Sequence, residues 1–178
     1  ADKTYEGSSG KFIELMSRTH TAIEGGHKIL IYSQFVQQLQ IIKRAFDKEG
    51  LKYCYFDGSF SSKERQKQVK TFQETPEIHI FLVSLKAGGV GLTLTAADYV
   101  FIIDPWWNPS VERQAIDRTH RIGQTKNIFS YKFITKNSVE EKILNLQNKK
   151  LNLASELVLA EESFYKTLDV NDIKNILG

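Results

Sequence analysis

The chain has a single cysteine, Cys54. A lone thiol excludes an internal disulfide and any zinc site built from several cysteines. Cys54 lies in the strand-like run KYCYF, where a buried structural thiol is expected. No apolar run approaches the ~20 residues needed to span a bilayer. No signal-peptide pattern opens the chain, so an intracellular protein is expected. The phosphate-cradling pattern G-x-x-x-x-G-K-[ST] is absent throughout. A Rossmann-type dinucleotide enzyme would need G-x-G-x-x-G after its first strand, and the sequence there is YSQFVQQ. His20, His27 and His79 are scattered without metal-ligand spacing and are read as structural. Neither an internal repeat nor a low-complexity linker is present.

What remains is ordinary in bulk. The 178 residues are 41% apolar and 25% charged, the balance of a soluble globular protein with room for one core. A formal net charge of +3 is mildly basic, compatible with nucleic acid but no argument for it.

Along the chain, helical and strand periodicities alternate. Ser9 to Glu24 reads as a helix, with Phe12, Leu15, Met16 and Ile23 at helical spacing and Gly25-Gly26 ending it. Lys28 to Tyr32 is a short continuous apolar run, the pattern of a strand buried on both faces. Val36 to Lys48 is helical and stops at Gly50. Lys52 to Phe56 is a second strand. Ser61 and Glu64 have the capping-box spacing for a helix through Phe72. Ile78 to Ser84 and Tyr99 to Ile103 are further strands, separated by a glycine-rich loop. Asn108 and Pro109 suit an N-cap and a first helical residue, and Ile128 to Ile134 is the last strand. This alternation predicts an α/β fold: a parallel sheet with helices on both faces. Ligands of such sheets bind beyond the carboxyl ends of the strands.

The final forty residues differ. Ser138 and Glu141 form a second capping-box pattern. Val139, Ile143, Leu146, Leu153 and Leu157 then make a stripe, flanked by Leu144, Leu151 and Val158. A helix of about 20 residues, ~30 Å long, is expected to lie across the same domain. A coiled coil is disfavoured, because the stripe is too short for sustained heptads. Residues 169–178 have the look of a short terminal helix.

Three runs carry chemistry. QAIDRTHRIGQ, from Gln114 to Gln124, holds Arg118 and Arg121 three apart, with Asp117 and His120 beside them. On a helix, residues three apart share a face. Two guanidiniums there make a fork of donors suited to a phosphate chain. The same spacing also describes an ordinary solvated face, with Asp117 as a plain ion-pair partner. SLKAGGVGL, from Ser84 to Leu92, sets a serine, Lys86 and three glycines in one loop. Glycines let backbone N–H groups approach a phosphate, and equally make a purely structural strand-to-helix turn. Trp106 and Trp107 stand before a helix, where paired tryptophans often anchor a core.

Taken in order, these runs resemble the motifs of superfamily-two helicase-like motors, in the form carried by Swi/Snf-type DNA translocases. QAIDRTHRIGQ is similar to motif VI, SLKAGGVGLTLTAAD to motif V, and ILIYSQF (Ile29 to Phe35) to motif IV. Asp57-Gly58-Ser59 resembles the short motif after it, and Trp107 matches the D-P-x-W-N-P pattern. SVEEKILNLQNKK resembles the family's C-terminal brace helix. DEAD-box RNA helicases carry H-R-x-G-R-x-G-R, whereas this chain reads HRIGQTKN and lacks the later arginines.

The resemblance implies a RecA-like second motor lobe with three layers and a brace helix. Its boundaries would be residues 1–10 as linker remnant, 11–136 as lobe, and 137–178 as brace and terminal helix. It implies Arg118 and Arg121 as arginine fingers, with Gln114 and Asp117 orienting them, and Gly89 and Gly91 near the nucleotide. His120 would take a hydrogen-bonded orienting role. Ser33, Gln34, Gly58, Ser59, Lys86 and Trp107 would face DNA. ATP and Mg2+ would be held mainly by a first RecA-like lobe of a longer chain. The partners would be that lobe, double-stranded DNA and a DNA-bound protein substrate. The compact lobe, without a long insertion, favours a prokaryotic source; cytoplasm and nucleoid, or a eukaryotic nucleus, would be its place. An RNA or single-strand helicase lobe and a non-catalytic protein-docking module remain as alternatives.

Overall fold

The structure, a computed structural model, describes residues 9–85, 87, 94–104, 109–117 and 127–150, with the side chains at 109, 111, 114 and 115 outside that description. Its elements in chain order are α1 (Gly10–Glu24), β1 (Ile29–Ser33), α2 (Val36–Lys48), β2 (Tyr53–Phe56), α3 (Ser62–Glu74), β3 (Ile80–Ser84), β4 (Tyr99–Ile102), α4 (Pro109–Asp117) and β5 (Phe129–Lys132). Residues 139–150 are again helical. No helix among the described residues is long and apolar enough to cross a membrane.

Five strands form one sheet in the order β2-β3-β1-β4-β5, and every neighbouring pair is parallel. Side chains alternate across a strand, so each strand feeds two cores. Ile29 and Ile31 of β1, Ile80 and Leu82 of β3, and Phe101 of β4 face one cluster with Leu15, Leu39, Ile42 and Phe46 from α1 and α2. Leu30, Tyr32, Phe81, Val83, Val100 and Ile102 face the other, with Phe72 of α3 and the buried Leu85, Leu94 and Ala97. That two-sided burial is why β1 and β3 read as unbroken apolar runs. Cys54 is buried in the second cluster, and burial pushes its thiol up to about 11. It is the structural thiol its setting led one to expect.

Local signals set the helix boundaries. The Ser9 hydroxyl accepts from Phe12 N–H at 3.2 Å to start α1, and Gly26 with φ 72° follows its end. The capping box of α3 is complete: the Ser61 hydroxyl accepts from Glu64 N–H, and the Glu64 carboxylate accepts from Ser61 N–H at 2.8 Å. α3 is otherwise highly polar and buries only Phe72.

β1, β2, β3 and β5 begin one or two residues inside the sequence expectation, and just before β1 a side chain takes over the pairing. Lys28 N–H donates to the Asp98 carboxylate at 3.0 Å, which also meets His27 Nδ1 at 2.7 Å. His79 Nδ1 lies 2.9 Å from the His27 carbonyl, and His20 pairs with Glu49 at 2.7 Å between α1 and the end of α2. All three histidines thus meet partners within the fold, His20 in a largely exposed pair.

The C-terminal helix departs from the apolar-stripe expectation. Ile143 and Gln147 are its buried positions, while Val139 and Leu146 are exposed. Gln147 takes a buried place among polar partners, and part of the apolar stripe faces outward. Its start also differs from a standard capping box. The Ser138 hydroxyl accepts from Glu140 N–H at 3.2 Å, and the Glu141 carboxylate accepts from Asn137 N–H at 2.8 Å. Asn137 has φ 55°, and this turn shifts the reciprocal pair by one residue. Positions 151–178, including Leu153 and Leu157, lie outside the described residues.

Phe81 packs edge-on against Phe56 (ring centroids 5.4 Å apart) and against Phe72 at 5.1 Å. Phe81→Ala is expected to cost about 3–5 kcal/mol, and Ser61→Ala about 1 kcal/mol through loss of the cap. Urea denaturation checks both; equal costs for the two variants would contradict this division between core and surface.

Candidate functional site

Because all strands run one way, the segments after β1, β2, β3 and β4 emerge at one end of the sheet. After β1 the chain moves towards β2 on one side; after β4 it moves to β5 on the other. The carboxyl ends of β1 and β4 therefore flank a topological switch point, the usual ligand crevice of open α/β sheets.

Ser33 and Asp104 join across that point. The Ser33 hydroxyl donates to the Asp104 carboxylate and accepts from Phe35 N–H at 3.0 Å. Both side chains are buried. Ser33, assigned to DNA by resemblance, thus has its hydroxyl committed inside the protein. Gln34 is half-buried, and the exposed residues that follow are Phe35 and Val36. Burial raises Asp104 above the usual carboxylate range; the Ser33 hydroxyl and the nearby Lys11 ammonium work against that shift, and Glu140 adds to it. Lys11 reaches this cluster from α1. Its ammonium donates to the Ile103 carbonyl at 3.0 Å and pairs with Glu140 of the C-terminal helix.

After β2, Asp57-Gly58-Ser59 forms a closed local turn. Ser59 N–H donates to Asp57 Oδ1 at 2.9 Å, the Ser59 hydroxyl donates to the same oxygen at 2.5 Å, and Tyr55 Oη donates to Oδ2. Burial pushes the Asp57 carboxyl up, but the donors from Ser59 and Tyr55, with the Lys43 charge, hold it below its ordinary value. The Gly58 carbonyl accepts from Arg65 at 3.3 Å. The Ser59 N–H is thus satisfied within the turn, and Glu64 places a carboxylate at the start of α3.

α4 begins at Pro109, as the Pro109 signal implied, and ends at Asp117, which is exposed. Gln114 lies within α4. Arg118 follows it directly in sequence. Lys86, Gly89, Gly91, Trp106, Trp107, Asn108, Arg118, His120 and Arg121 lie outside the described residues.

The structure adds residues that motif reading passed over. Glu112 of α4 is buried, accepting from Gln147 Nε2 at 2.9 Å and pairing with Lys132 of β5 at 2.5 Å. The signals existed: a glutamine at the fourth position after Ile143, on the buried face of a helix, and a lysine inside the strand run FSYKFI. Lys132 belongs to no motif, Gln147 carries no assigned role within the brace-helix run, and each gains meaning only from its neighbours in space.

Comparison with known proteins agrees with this architecture. Residues 10–123 match the family model of the helicase conserved C-terminal domain. The chain is similar to the DNA repair protein rad8 of Schizosaccharomyces pombe, 40% identical over 166 residues that cover 93% of this chain and 14% of that protein. It is also similar to the chromatin-remodeling ATPase INO80 of Candida albicans, 42% identical over 142 residues that cover 80% of this chain and 10% of that protein. The chain therefore spans a small part of the length of the curated relatives it matches. Among solved structures, the C-terminal part of the Fun30 ATPase domain superposes with a TM-score of 0.77 at 38% identity, covering 83% of this chain and 48% of that one. A five-stranded parallel sheet in RecA-like order, the ordered motifs and these likenesses together place the chain in the helicase conserved C-terminal domain family, as a second RecA-like lobe of the Swi/Snf type.

Proposed function

We propose that the chain is the C-terminal motor lobe of a longer, ATP-dependent double-stranded-DNA translocase of the remodelling type. The observation that carries this reading is the position of QAIDRTHRIGQ: it occupies the second half of α4 and the residues after it, in the segment that leaves the switch point through Asp104. A first lobe of the same parent chain supplies the phosphate-cradling loop and the ligands of Mg2+. When the cleft between the lobes closes, Arg118 and Arg121 reach the γ-phosphate and stabilise the charge that develops there. Known arginine fingers contribute roughly 10³ to 10⁵ in rate. Gln114 and Asp117 hold the two guanidiniums in place, and Gly89 and Gly91 let the loop approach the nucleotide.

DNA contacts in this reading come from the loops at the same end of the sheet. Gln34, Gly58, Ser59, Lys86 and Trp107 face the duplex, and Ser33 fixes the motif IV loop from beneath through Asp104. Such contacts fall mainly on phosphates, which position without reading sequence. Nucleotide-driven closure and opening then walk the grip along the backbone, and a DNA-bound protein in the path is displaced or remodelled. The lobe proper spans 11–136, and 137–178 form the brace and terminal helix.

The 178-residue chain by itself is expected to show no ATP turnover; turnover by the purified chain that Arg121→Ala abolishes would overturn the assignment of catalysis to two lobes. In the two-lobed parent, turnover should be stimulated by duplex DNA well above RNA or single strands. Arg118→Ala or Arg121→Ala should lower it by about 10³-fold or more with DNA affinity little changed. Equal losses of turnover and DNA affinity would mean that the arginines hold DNA; stimulation by RNA alone would make the chain an RNA helicase lobe. Lys86→Ala and Trp107→Ala should lower the distance translocated per ATP, and unchanged coupling in both variants would reject their place at the duplex.

A further inference from the structure

The C-terminal helix grips the β4–α4 segment at two points. Near its start, Glu140 pairs with Lys11, whose ammonium also caps the carbonyl of Ile103 just after β4. Two turns later, Gln147 donates to Glu112 in the first half of α4. Lys132 of the edge strand β5 closes the second contact into a triangle: it pairs with Glu112 at 2.5 Å and donates to Gln147 Oε1 at 3.4 Å. Glu112 and Gln147 are almost wholly buried, at 1% and 2% exposure.

Such a cluster is a poor way to gain stability. A buried carboxylate loses its hydration, and its attraction to one cation does little more than offset that loss. Well-packed apolar side chains of similar volume often serve as well or better. What a buried ionic cluster does supply is a single acceptable arrangement, because any rotation leaves a charge or an amide unpaired. Here the constrained element is α4, nine residues long and directly followed in sequence by Arg118.

We infer that Glu112, Lys132 and Gln147 are positioning residues that fix the rotation of α4 and so aim the motif VI arginines, making the C-terminal helix a control point on turnover. This inference rests on the arginine-finger reading above. A shift of this helix along or about its axis takes the Gln147 amide from the Glu112 carboxylate and loosens its hold on α4; a factor that binds the helix would therefore act on hydrolysis without touching nucleotide or DNA.

The test uses the two-lobed parent protein and separates aim from stability. Gln147→Leu removes the amide and keeps the bulk. Glu112→Leu, Lys132→Met and Gln147→Leu combined remove both charges and the amide together, so that no polar member of the cluster is left buried without its partners. For each variant, kcat with saturating duplex DNA, KM for ATP, DNA Kd and Tm are measured beside Arg121→Ala. Misaimed catalytic groups typically cost on the order of 10- to 100-fold in rate, so kcat should fall by about tenfold or more in both variants. KM and Kd should stay within about twofold of wild type, and the triple variant should keep its Tm, because the buried Glu112 and Gln147 give way together to apolar side chains of similar volume and the partly exposed Lys132 loses only its partner. If Arg121→Ala abolishes turnover while both cluster variants keep kcat within about twofold, the positioning inference fails and the arginine reading stands. A fall in kcat that tracks Tm in Gln147→Leu and disappears in the thermally stable triple variant would reduce the cluster to a structural one. Undiminished turnover in Arg121→Ala overturns both readings.

Discussion

All five strands point in the same direction, and the sheet is covered on both faces. Parallel pairing needs a crossover between successive strands, so a helix or a long segment must cross one face each time. The strands in turn become apolar on both sides, as Ile29 to Tyr32 and Ile80 to Val83 are. Every polar loop after a strand is then left at one end. That constraint brings residues 33, 57, 84 and 104 to a common edge although they are spread over some seventy positions of sequence.

Once the sheet is built, its two ends are finished differently. At the amino end, Asp98 ties together His27, Lys28 N–H and the start of β4 in one closed network. At the carboxyl end, Asp104 is held by the Ser33 hydroxyl and lies near the Lys11–Glu140 pair. Burial raising Asp104 shows how dry this region is. The switch point is thus organised from below by side chains that are not themselves exposed, and the exposed loops rest on them.

Much of this was readable from the sequence. The continuous apolar runs, the glycines after α1 and α2, and the Ser61–Glu64 pair located the elements to within one or two residues, because each is a local effect: side-chain alternation, a left-handed backbone, a reciprocal cap. The order of motifs identified the family. Two features appear only in three dimensions. The Ser33 hydroxyl meets Asp104, a partner seventy-one residues away that no local pattern announces. Val139 and Leu146 read as part of the packed stripe and are exposed, while Gln147 is buried beside Glu112.

The sequence alone determined the fold class, the family and the candidate chemistry. Periodicity is a property of neighbouring residues, and the arginine, glycine and tryptophan motifs are contiguous. Tertiary structure decided which polar groups meet. Glu112, Lys132 and Gln147 belong to three different elements, and their types are ordinary where they stand. Only the packing of α4, β5 and the C-terminal helix gives a buried carboxylate its cation and its amide, because the free energy of such a group depends on what surrounds it and not on what precedes it in the chain.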